Sequence, residues 1–327
     1  MPAIAPAPAS NFINVNLDGK GIAMPHYLFP PSIQGKPFVK WVGGKGQLLD
    51  VIGGALPAEL ARMPDLTYVE PFVGGGAMLF WMLPRFPNIK KIVINDINEK
   101  LIKTYKAVRD EAPELMRMLE AIQTEYFSLR GKDEKKSYYL RQRDAFNNDT
   151  TNNVTIAALF IFLNKTCFNG LYRVNSRGFF NVPFGSYENP KICDKETLWN
   201  DSCLLRNVEI LDGDFEQTLE YATSNAFFYL DPPYKPLTRT SSFNSYAKES
   251  FDDSEQIRLK KFCDKLDLLG SRWMLSNSDV RSNDPDNVFF DDLYSSYKID
   301  RVWASRCVNA DPEKRGKLTE LLITNQP

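Results

Sequence analysis

The chain has 327 residues, 43% of them hydrophobic, with 40 Lys and Arg against 41 Asp and Glu and a formal net charge of −1. That length suits one large domain or two smaller ones with a sizeable core, and no apolar run approaches the ~20 residues that cross a bilayer. A single histidine (His26) and five scattered cysteines (Cys167, Cys193, Cys203, Cys263, Cys307) with no Cys-x-x-Cys argue against a histidine-dependent triad, a disulfide framework and a metal centre.

The odd cysteine count points to a reducing compartment, and the N-terminus lacks the basic start and apolar stretch of a signal peptide. A pI of about 6.1 does not by itself advertise a nucleic-acid binder. Basic residues still gather in two places: Lys165, Arg173 and Arg177, and then Arg301, Arg306, Lys314, Arg315 and Lys317. On charge alone both groups read as solvated surface.

Residues 1 to about 35 are rich in Ala, Pro and Asn, show no periodicity and read as a mobile arm. Residues 36–49 then form a short loop leading into a helix. Residues 66–72 read as a strand, Gly74-Gly75-Gly76 as a turn, 77–83 as a helix and 92–94 as a second strand ending at Asn95-Asp96. Strand, glycine turn, helix, strand is a βαβ unit and predicts a parallel sheet. Helices follow over 100–109, 112–128, 133–147 and 156–163. From Asn164 to Pro190 the periodicity fades into Asn, Phe, Gly, Arg and Pro, the character of a recognition insert. Strands over 204–211, 226–230, 273–276 and 318–324 complete the set, with an amphipathic helix over 254–269.

Two places carry chemistry. Tyr68-Val-Glu-Pro-Phe-Val-Gly-Gly-Gly-Ala77 sets glycines directly after a strand and before a helix, where backbone can approach a ligand closely. It is not the Gly-x-Gly-x-x-Gly of dinucleotide folds. About 20 residues on, Asp96 ends the next strand, where an acid commonly bonds ribose hydroxyls. The pair suggests a nucleoside cofactor at the sheet's carboxyl edge; the plain alternative is a tight turn plus a helix-capping Asp.

The second place is Asp231-Pro-Pro-Tyr234, which stops the apolar run Phe228-Tyr-Leu230. It suits methylation of the exocyclic amine of a nucleobase, a poor nucleophile because its lone pair is delocalised into the ring. Asp231 and the carbonyl of Pro232 can accept the two N–H bonds and localise that pair. Pro232 and Pro233 stiffen the turn, because each ring fixes φ, and Tyr234 can stack on the base. Only a base swung out of the duplex could reach such a pocket. Taken alone, the tetrapeptide could equally be an ordinary strand-end turn. With the nucleoside pocket it implies methyl transfer from S-adenosylmethionine, mostly by positioning. The cysteine-dependent route to cytosine C5 normally uses a Pro-Cys dipeptide, and none occurs.

The sequence resembles the Dam-type, α-class DNA adenine-N6 methyltransferases, including the modification methylases of GATC restriction systems. Nine segments carry the likeness in order: Phe38-Val-Lys-Trp-Val-Gly-Gly-Lys45, Glu70-Pro-Phe-Val-Gly-Gly-Gly76, Asn95-Asp96, Leu163-Asn-Lys-Thr-Cys-Phe-Asn-Gly-Leu-Tyr-Arg173, Phe180-Asn-Val-Pro-Phe-Gly185, Gly213-Asp-Phe215, Asp231-Pro-Pro-Tyr-Lys-Pro-Leu237, Leu275-Ser-Asn277 and Arg315-Gly-Lys-Leu-Thr-Glu320. The likeness runs from about Lys36 to Thr324. The segment Trp303-Ala-Ser-Arg-Cys-Val-Asn-Ala310 departs from a loop that is typically rich in Ser, Asn and Gly.

The resemblance implies an α/β fold: a Rossmann-like S-adenosylmethionine-dependent methyltransferase sheet with helices on both faces, plus a mainly helical target-recognition insert. The expected division is an arm over 1–35, a catalytic and cofactor-binding domain over 36–110 and 204–327, and the insert over 111–203. By the resemblance Trp41, Lys45, Phe72, Gly74, Gly76, Asp96, Asp214, Phe215 and Asp231 hold the cofactor. Asp231, Pro232, Pro233 and Tyr234 bind and activate the flipped adenine. Lys40 and Arg173 match residues that read guanines, a bidentate Arg being the commonest specific contact in the major groove. Leu171 and Pro183 touch bases, Phe168 wedges into the stack with Asn169 beside it, and Asn175 joins the DNA-contacting set.

The implied partners are double-stranded DNA and a restriction endonuclease acting separately on the same site, with no membrane and no metal. The expected assembly is a monomer or weak dimer, in the cytoplasm and on the nucleoid through DNA. Two alternatives stay open: cytosine-N4 methylation, whose enzymes more often carry Ser before Pro-Pro-Tyr, and a DNA-binding regulator without catalysis.

Overall fold

The computed structural model describes residues 33–41, 43–148, 152–235, 251–305 and 317–326. The expected arm up to residue 32, with His26, lies outside the described residues, as do Arg306, Lys314, Arg315 and most of the segment that follows Trp303.

Seven strands form one sheet: β1 (Leu66–Glu70), β2 (Ile89–Ile94), β3 (Val208–Ile210), β4 (Ala226–Leu230), β5 (Arg272–Ser278), β6 (Lys298–Ser305) and β7 (Lys317–Thr324). Their order is β3-β2-β1-β4-β5-β7-β6. The first five run parallel; β7 is antiparallel to both β5 and β6. The helices are α1 (Leu49–Ala55), α2 (Ala77–Met82), α3 (Glu99–Asp110), α4 (Ala112–Ser128), α5 (Gly131–Asn148), α6 (Asn153–Thr166), α7 (Lys195–Leu205), α8 (Asp253–Leu268) and α9 (Phe289–Leu293). No described helix is long and apolar enough to cross a membrane.

Period-two alternation decides which face each strand residue joins. Tyr68, Ile92, Ile94, Phe227, Tyr229 and Met274 enter the core shared with α2, α3 and α4. Their neighbours Val69, Val93, Phe228, Leu230, Trp273 and Leu275 enter the core shared with α8 and α9. A sheet covered on both faces needs strands that are apolar throughout, and β4 is buried at all five positions.

The insert is built on α6. Eleven of its residues are buried, including the run Ile156 to Asn164, as expected of a helix enclosed on all sides. It packs on α3, α4 and α5. Its buried side chains are continuous with the sheet's first core, so the insert and the sheet share one apolar interior. Asn98, Asn152, Asp194 and Asp252 each cap a helix by accepting backbone N–H groups, which sets where α3, α6, α7 and α8 begin.

One expectation needs correction, and one strand went unforeseen. Residues 204–211 do not form one strand: Leu204 and Leu205 close α7, and only Val208–Ile210 is β3. The buried positions Thr197, Leu198, Asp201, Ser202, Leu204 and Leu205 follow helical spacing, but half are polar, which hid the period. Strand β6 has no apolar run either. It lies at the sheet edge, where charged residues such as Lys298, Asp300 and Arg301 are tolerated.

Candidate active site

The strand order reverses between β1 and β4, and in an open α/β sheet ligands bind in the crevice beyond the carboxyl ends at that point. Three strand ends supply it. β1 delivers Glu70 and the glycine turn, β2 delivers Asn95-Asp96, and β4 delivers Asp231.

The glycine turn is closed by Val73 N–H donating to the Asn95 carbonyl at 2.9 Å and Gly76 N–H to the Val73 carbonyl at 2.8 Å. Gly74 (φ 49°) and Gly76 (φ 73°) occupy left-handed backbone. A Cβ on Gly74 would stand 2.8 Å from the Trp41 ring, and one on Gly76 would stand 2.5 Å from the Tyr105 hydroxyl. Both conformation and space therefore require glycine. Asp96 accepts from Gly74 N–H at 3.0 Å and from Asn98 N–H at 2.9 Å. A carboxylate has about four lone-pair sites, so two backbone donors leave capacity for hydroxyl donors. Burial lifts the Asp96 carboxyl to about 6.

Phe72 and Phe215 face each other at 5.2 Å between ring centroids, and Phe251 closes on Phe72 at 5.8 Å. They form an aromatic wall beside the glycine turn. Asp214 is already committed. It caps the 3-10 helix Phe215–Tyr221, and Arg258 forks onto both its oxygens at 2.9 and 2.7 Å, which holds its carboxyl below the ordinary range. Asp214 thus orients Phe215.

At the end of β4, Asp231 Oδ1 lies 3.0 Å from Lys45 Nζ and accepts from the Ser276 hydroxyl at 3.0 Å. The hydroxyls of Ser276 and Tyr229 are 3.2 Å apart. Lys45 is 3% exposed; its Nζ also lies 3.3 Å from Glu320 Oε2, touches the Tyr234 hydroxyl and stands 4.2 Å from that ring's centroid. Tyr234 donates to Glu320 at 2.8 Å. Gln256 donates to the Pro233 carbonyl at 3.3 Å and is itself held by Asn277 at 3.1 Å. Pro232 is buried behind the turn. Burial raises the Asp231 carboxyl above its ordinary value, and Lys45 opposes that rise. Beneath the site, burial lifts Glu70 to about 8 although the Tyr68 hydroxyl donates to it.

The expected cofactor residues therefore divide. Phe72, Gly74, Gly76, Asp96 and Phe215 gather round one crevice. Lys45 sits with Asp231, also of the expected cofactor set, and with Tyr234. The Trp41 ring packs on Gly74 and Gly75 and stacks with Tyr172 (5.7 Å) and Phe160 (6.4 Å), so it joins the glycine turn to the insert.

In the insert, the amide of Asn164 stitches Lys40 to the following loop. It accepts from Lys40 N–H at 2.7 Å and donates to the carbonyls of Lys40 (2.8 Å) and Gly170 (3.1 Å). The exposed Lys40 side chain holds its ammonium 4.1 Å from the Tyr187 ring centroid. Phe168 is 51% exposed, and Asn169 beside it is exposed in left-handed backbone (φ 54°). Phe168 N–H donates to the Pro183 carbonyl at 2.9 Å, which pins two of the expected base-contacting residues together. Pro183 is exposed and Leu171 is half-buried. Arg173 is exposed, and its Nε donates to Asn181 Oδ1 at 2.8 Å. The Asn175 side chain closes its own turn by accepting from Arg177 and Phe179 N–H at 2.9 and 3.1 Å. Of the second basic group, Arg301 is paired with Asp279 and Asp291.

Sequence reasoning assigned no role to Glu320, Ser276, Asn164, Asn181 or Tyr172. A usable signal existed for Glu320: a lone acid directly before the apolar run Leu321 to Ile323.

Comparison with known proteins agrees with this geometry. Residues 41–308 match the model of the D12 class N6 adenine-specific DNA methyltransferases. Type II methyltransferase M.MjaIII of Methanocaldococcus jannaschii is 49% identical over 294 residues, covering 89% of this chain and 99% of that protein. Type II methyltransferase M1.LlaDCHI of Lactococcus lactis subsp. cremoris is 39% identical over 89% of this chain and 95% of its own length. A DNA adenine methylase of Haemophilus influenzae is 30% identical, over 89% and 94%. An adenine-type Asp-Pro-Pro-Tyr turn at the switch point of a methyltransferase sheet, with the family match across most of the chain, shows that this protein belongs to the D12 class of N6 adenine-specific DNA methyltransferases and is an enzyme of that kind.

Proposed function

We propose that the protein transfers the methyl group of S-adenosylmethionine to N6 of adenine in duplex 5′-GATC-3′, with the target base swung into the crevice between β1 and β4. The observation that carries this reading is the Asp231 turn at the switch point, its carboxylate held by Ser276 and Lys45, at the end of the strand that pairs with the one leading into the glycine turn.

The residues present fit the cofactor. Asp96 has acceptor capacity for ribose hydroxyls, the Phe72 and Phe215 rings offer an apolar wall to an adenine, and the Gly74–Gly76 turn lets backbone close on the ligand. S-adenosylmethionine, when bound, supplies an electrophilic methyl. Asp231 and the Pro232 carbonyl accept the two N–H bonds of the target amine and draw its lone pair out of the ring. These contacts strengthen as the nitrogen rehybridises, so they act on the rate constant rather than on substrate binding. Tyr234, held at its hydroxyl by Glu320, offers a ring for the flipped base.

Recognition belongs to the insert, residues 111–203, set against the catalytic segments 36–110 and 204–327. Arg173, oriented by Asn181, and Lys40, oriented by Asn164, would each read a guanine, while Phe168 would fill the gap left in the stack. The type II names of two relatives favour a role beside a restriction endonuclease that reads the same site, acting on DNA in the cytoplasm. The test is methylome sequencing of a methylation-free host that expresses the protein. N6-methyladenine confined to GATC is expected; modification of cytosine N4, or of another sequence, would overturn the reading.

A further inference from the structure

Glu320 lies on β7, where it pairs in register with Ser278 of β5 and Val302 of β6, and is 8% exposed. A carboxylate in the middle of a sheet is costly to bury unless it is paired and hydrogen-bonded. Glu320 meets that condition through two groups of the catalytic turn: Lys45 Nζ at 3.3 Å and the Tyr234 hydroxyl at 2.8 Å. The same Lys45 ammonium reaches Asp231 at 3.0 Å. One buried ammonium is thus shared between two carboxylates, only one of which faces the reacting amine.

We propose that Glu320 is a positioning residue for methyl transfer: it draws the Lys45 ammonium off Asp231 and holds the Tyr234 ring in place for the base. The physical need is clear. An ammonium bound wholly to Asp231 would compete with the target amine for the same oxygens and weaken the carboxylate as an acceptor. Removing Lys45 would remove that competition, but the half-buried Asp231 would then lose its neighbouring positive charge. Sharing the ammonium keeps Asp231 ionised and leaves it free to accept. Once the amine engages Asp231, Glu320 remains as the partner of Lys45, so no buried charge is stranded.

The charge arrangement has a consequence for pH dependence. The groups that face Asp231 are Lys45 from the loop before α1, Glu320 from β7, Glu70 from β1, Tyr229 from β4 through Ser276, and Tyr234 from its own turn. Burial raises the Asp231 carboxyl, Lys45 lowers it and Glu320 raises it. Removal of the Glu320 charge therefore lets Asp231 stay ionised to lower pH, even as it becomes a poorer acceptor.

The inference rests on the reading of Asp231 as the amine acceptor, and its test separates the two. Single-turnover methylation of a duplex carrying the wild-type site is measured across pH at saturating DNA and S-adenosylmethionine, steady-state rates over a DNA concentration series give KM, and each variant is melted thermally. Glu320→Gln keeps an acceptor for Tyr234 but loses the charge. It should lower the rate constant about tenfold, the scale of one charge-assisted hydrogen bond. It should leave KM for DNA nearly unchanged and move the acid limb of the profile to lower pH. Glu320→Ala should raise KM for DNA as well, because Tyr234 loses its anchor. In a Lys45→Met background, Glu320→Gln should have little further effect on the rate constant. Should Glu320→Gln not fold, Glu320→Asp replaces it: the charge is kept but withdrawn, so the rate falls while the acid limb stays in place. A wild-type rate and an unmoved acid limb in Glu320→Gln, or full additivity with Lys45→Met, overturns the proposal. Activity that survives Asp231→Ala sinks the reading of Asp231 itself.

Discussion

The indole of Trp41 lies nearly parallel to the ring of Tyr172, with 5.7 Å between centroids and 23° between planes. Trp41 also packs on Gly74 and Gly75 of the crevice, while Tyr172 sits between Leu171 and Arg173 in the expected insert. The two sites of the proposed reaction therefore meet through one aromatic contact. Tyr172→Leu should cost about 0.5–1.5 kcal/mol of stability beyond the lost apolar area. It should also weaken the discrimination between cognate and altered duplexes. Denaturant melts and rates on a substituted duplex set check both parts.

In the proposed reaction, Asp231→Ala removes the acceptor for the target amine. The Lys45 ammonium keeps Glu320 as a partner, so the variant should fold normally. The single-turnover rate should fall by roughly 10²–10³-fold, the scale of losing one preorganised contact to a developing charge. The carboxylate is the active form, so wild-type activity is present above the Asp231 pKa and lost as pH falls through it. Because burial raises that pKa, the acid limb should lie above the usual aspartate range. Near-wild-type turnover in the variant would rule out the role.

Asp96 has its carboxyl lifted by burial from 3.8 to about 6. Ribose hydroxyls donate to the ionised form, so cofactor binding near pH 6 should release a proton and affinity should fall as pH drops through that value. Calorimetry in two buffers of different ionisation enthalpy reads the proton directly. Asp96→Asn should abolish the buffer dependence and weaken binding; a wild-type affinity would refute the assignment.

Glu70 makes a prediction about stability. Its folded pKa of about 8 stands above the ordinary 4.5, because burial disfavours the ionised form. A raised carboxyl binds its proton more tightly when folded, so stability is fully present below 4.5 and declines as pH rises towards 8. Asp201, lifted by burial to about 8, acts in the same direction. Glu70→Gln should therefore flatten part of the fall in melting temperature between pH 5 and pH 8. An identical slope in the variant would show that Glu70 ionises without penalty.

Arg173 is exposed and oriented by Asn181 at 2.8 Å, which aims the guanidinium without burying it. If it forks onto one guanine, Arg173→Ala should cost about 1–3 kcal/mol of discrimination at that base. A phosphate contact would instead weaken every sequence alike and lower the salt dependence. Rates on duplexes changed at each position of the site distinguish the two.

The chain's own order of residues was enough to locate most elements and the reactive turn. β4 reads as a strand because all five residues are apolar, and its end is legible because Asp231 and two prolines stop it. The glycine turn declares itself through three glycines between a strand and a helix. These signals are local: burial on both faces demands an apolar run, and proline and glycine impose their own backbone angles. β6 and α7 were not legible, because an edge strand and a helix with polar buried positions lack the periodicity of a single buried face.

Tertiary structure decided what the reactive turn touches. Lys45 and Glu320 are separated by 275 residues, yet they meet each other and Tyr234, and Lys45 also reaches Asp231. Lys45 read as a cofactor contact from its motif, and the folded chain seats it 3.0 Å from Asp231. No local pattern encodes that meeting. It follows from the antiparallel insertion of β7 between β5 and β6, which sets the register that brings Glu320 opposite Ser278. The residue types and their strand ends are properties of the sequence alone. Which charges share one ammonium is a property of the sheet order, because only long-range packing can pair groups so far apart in the chain.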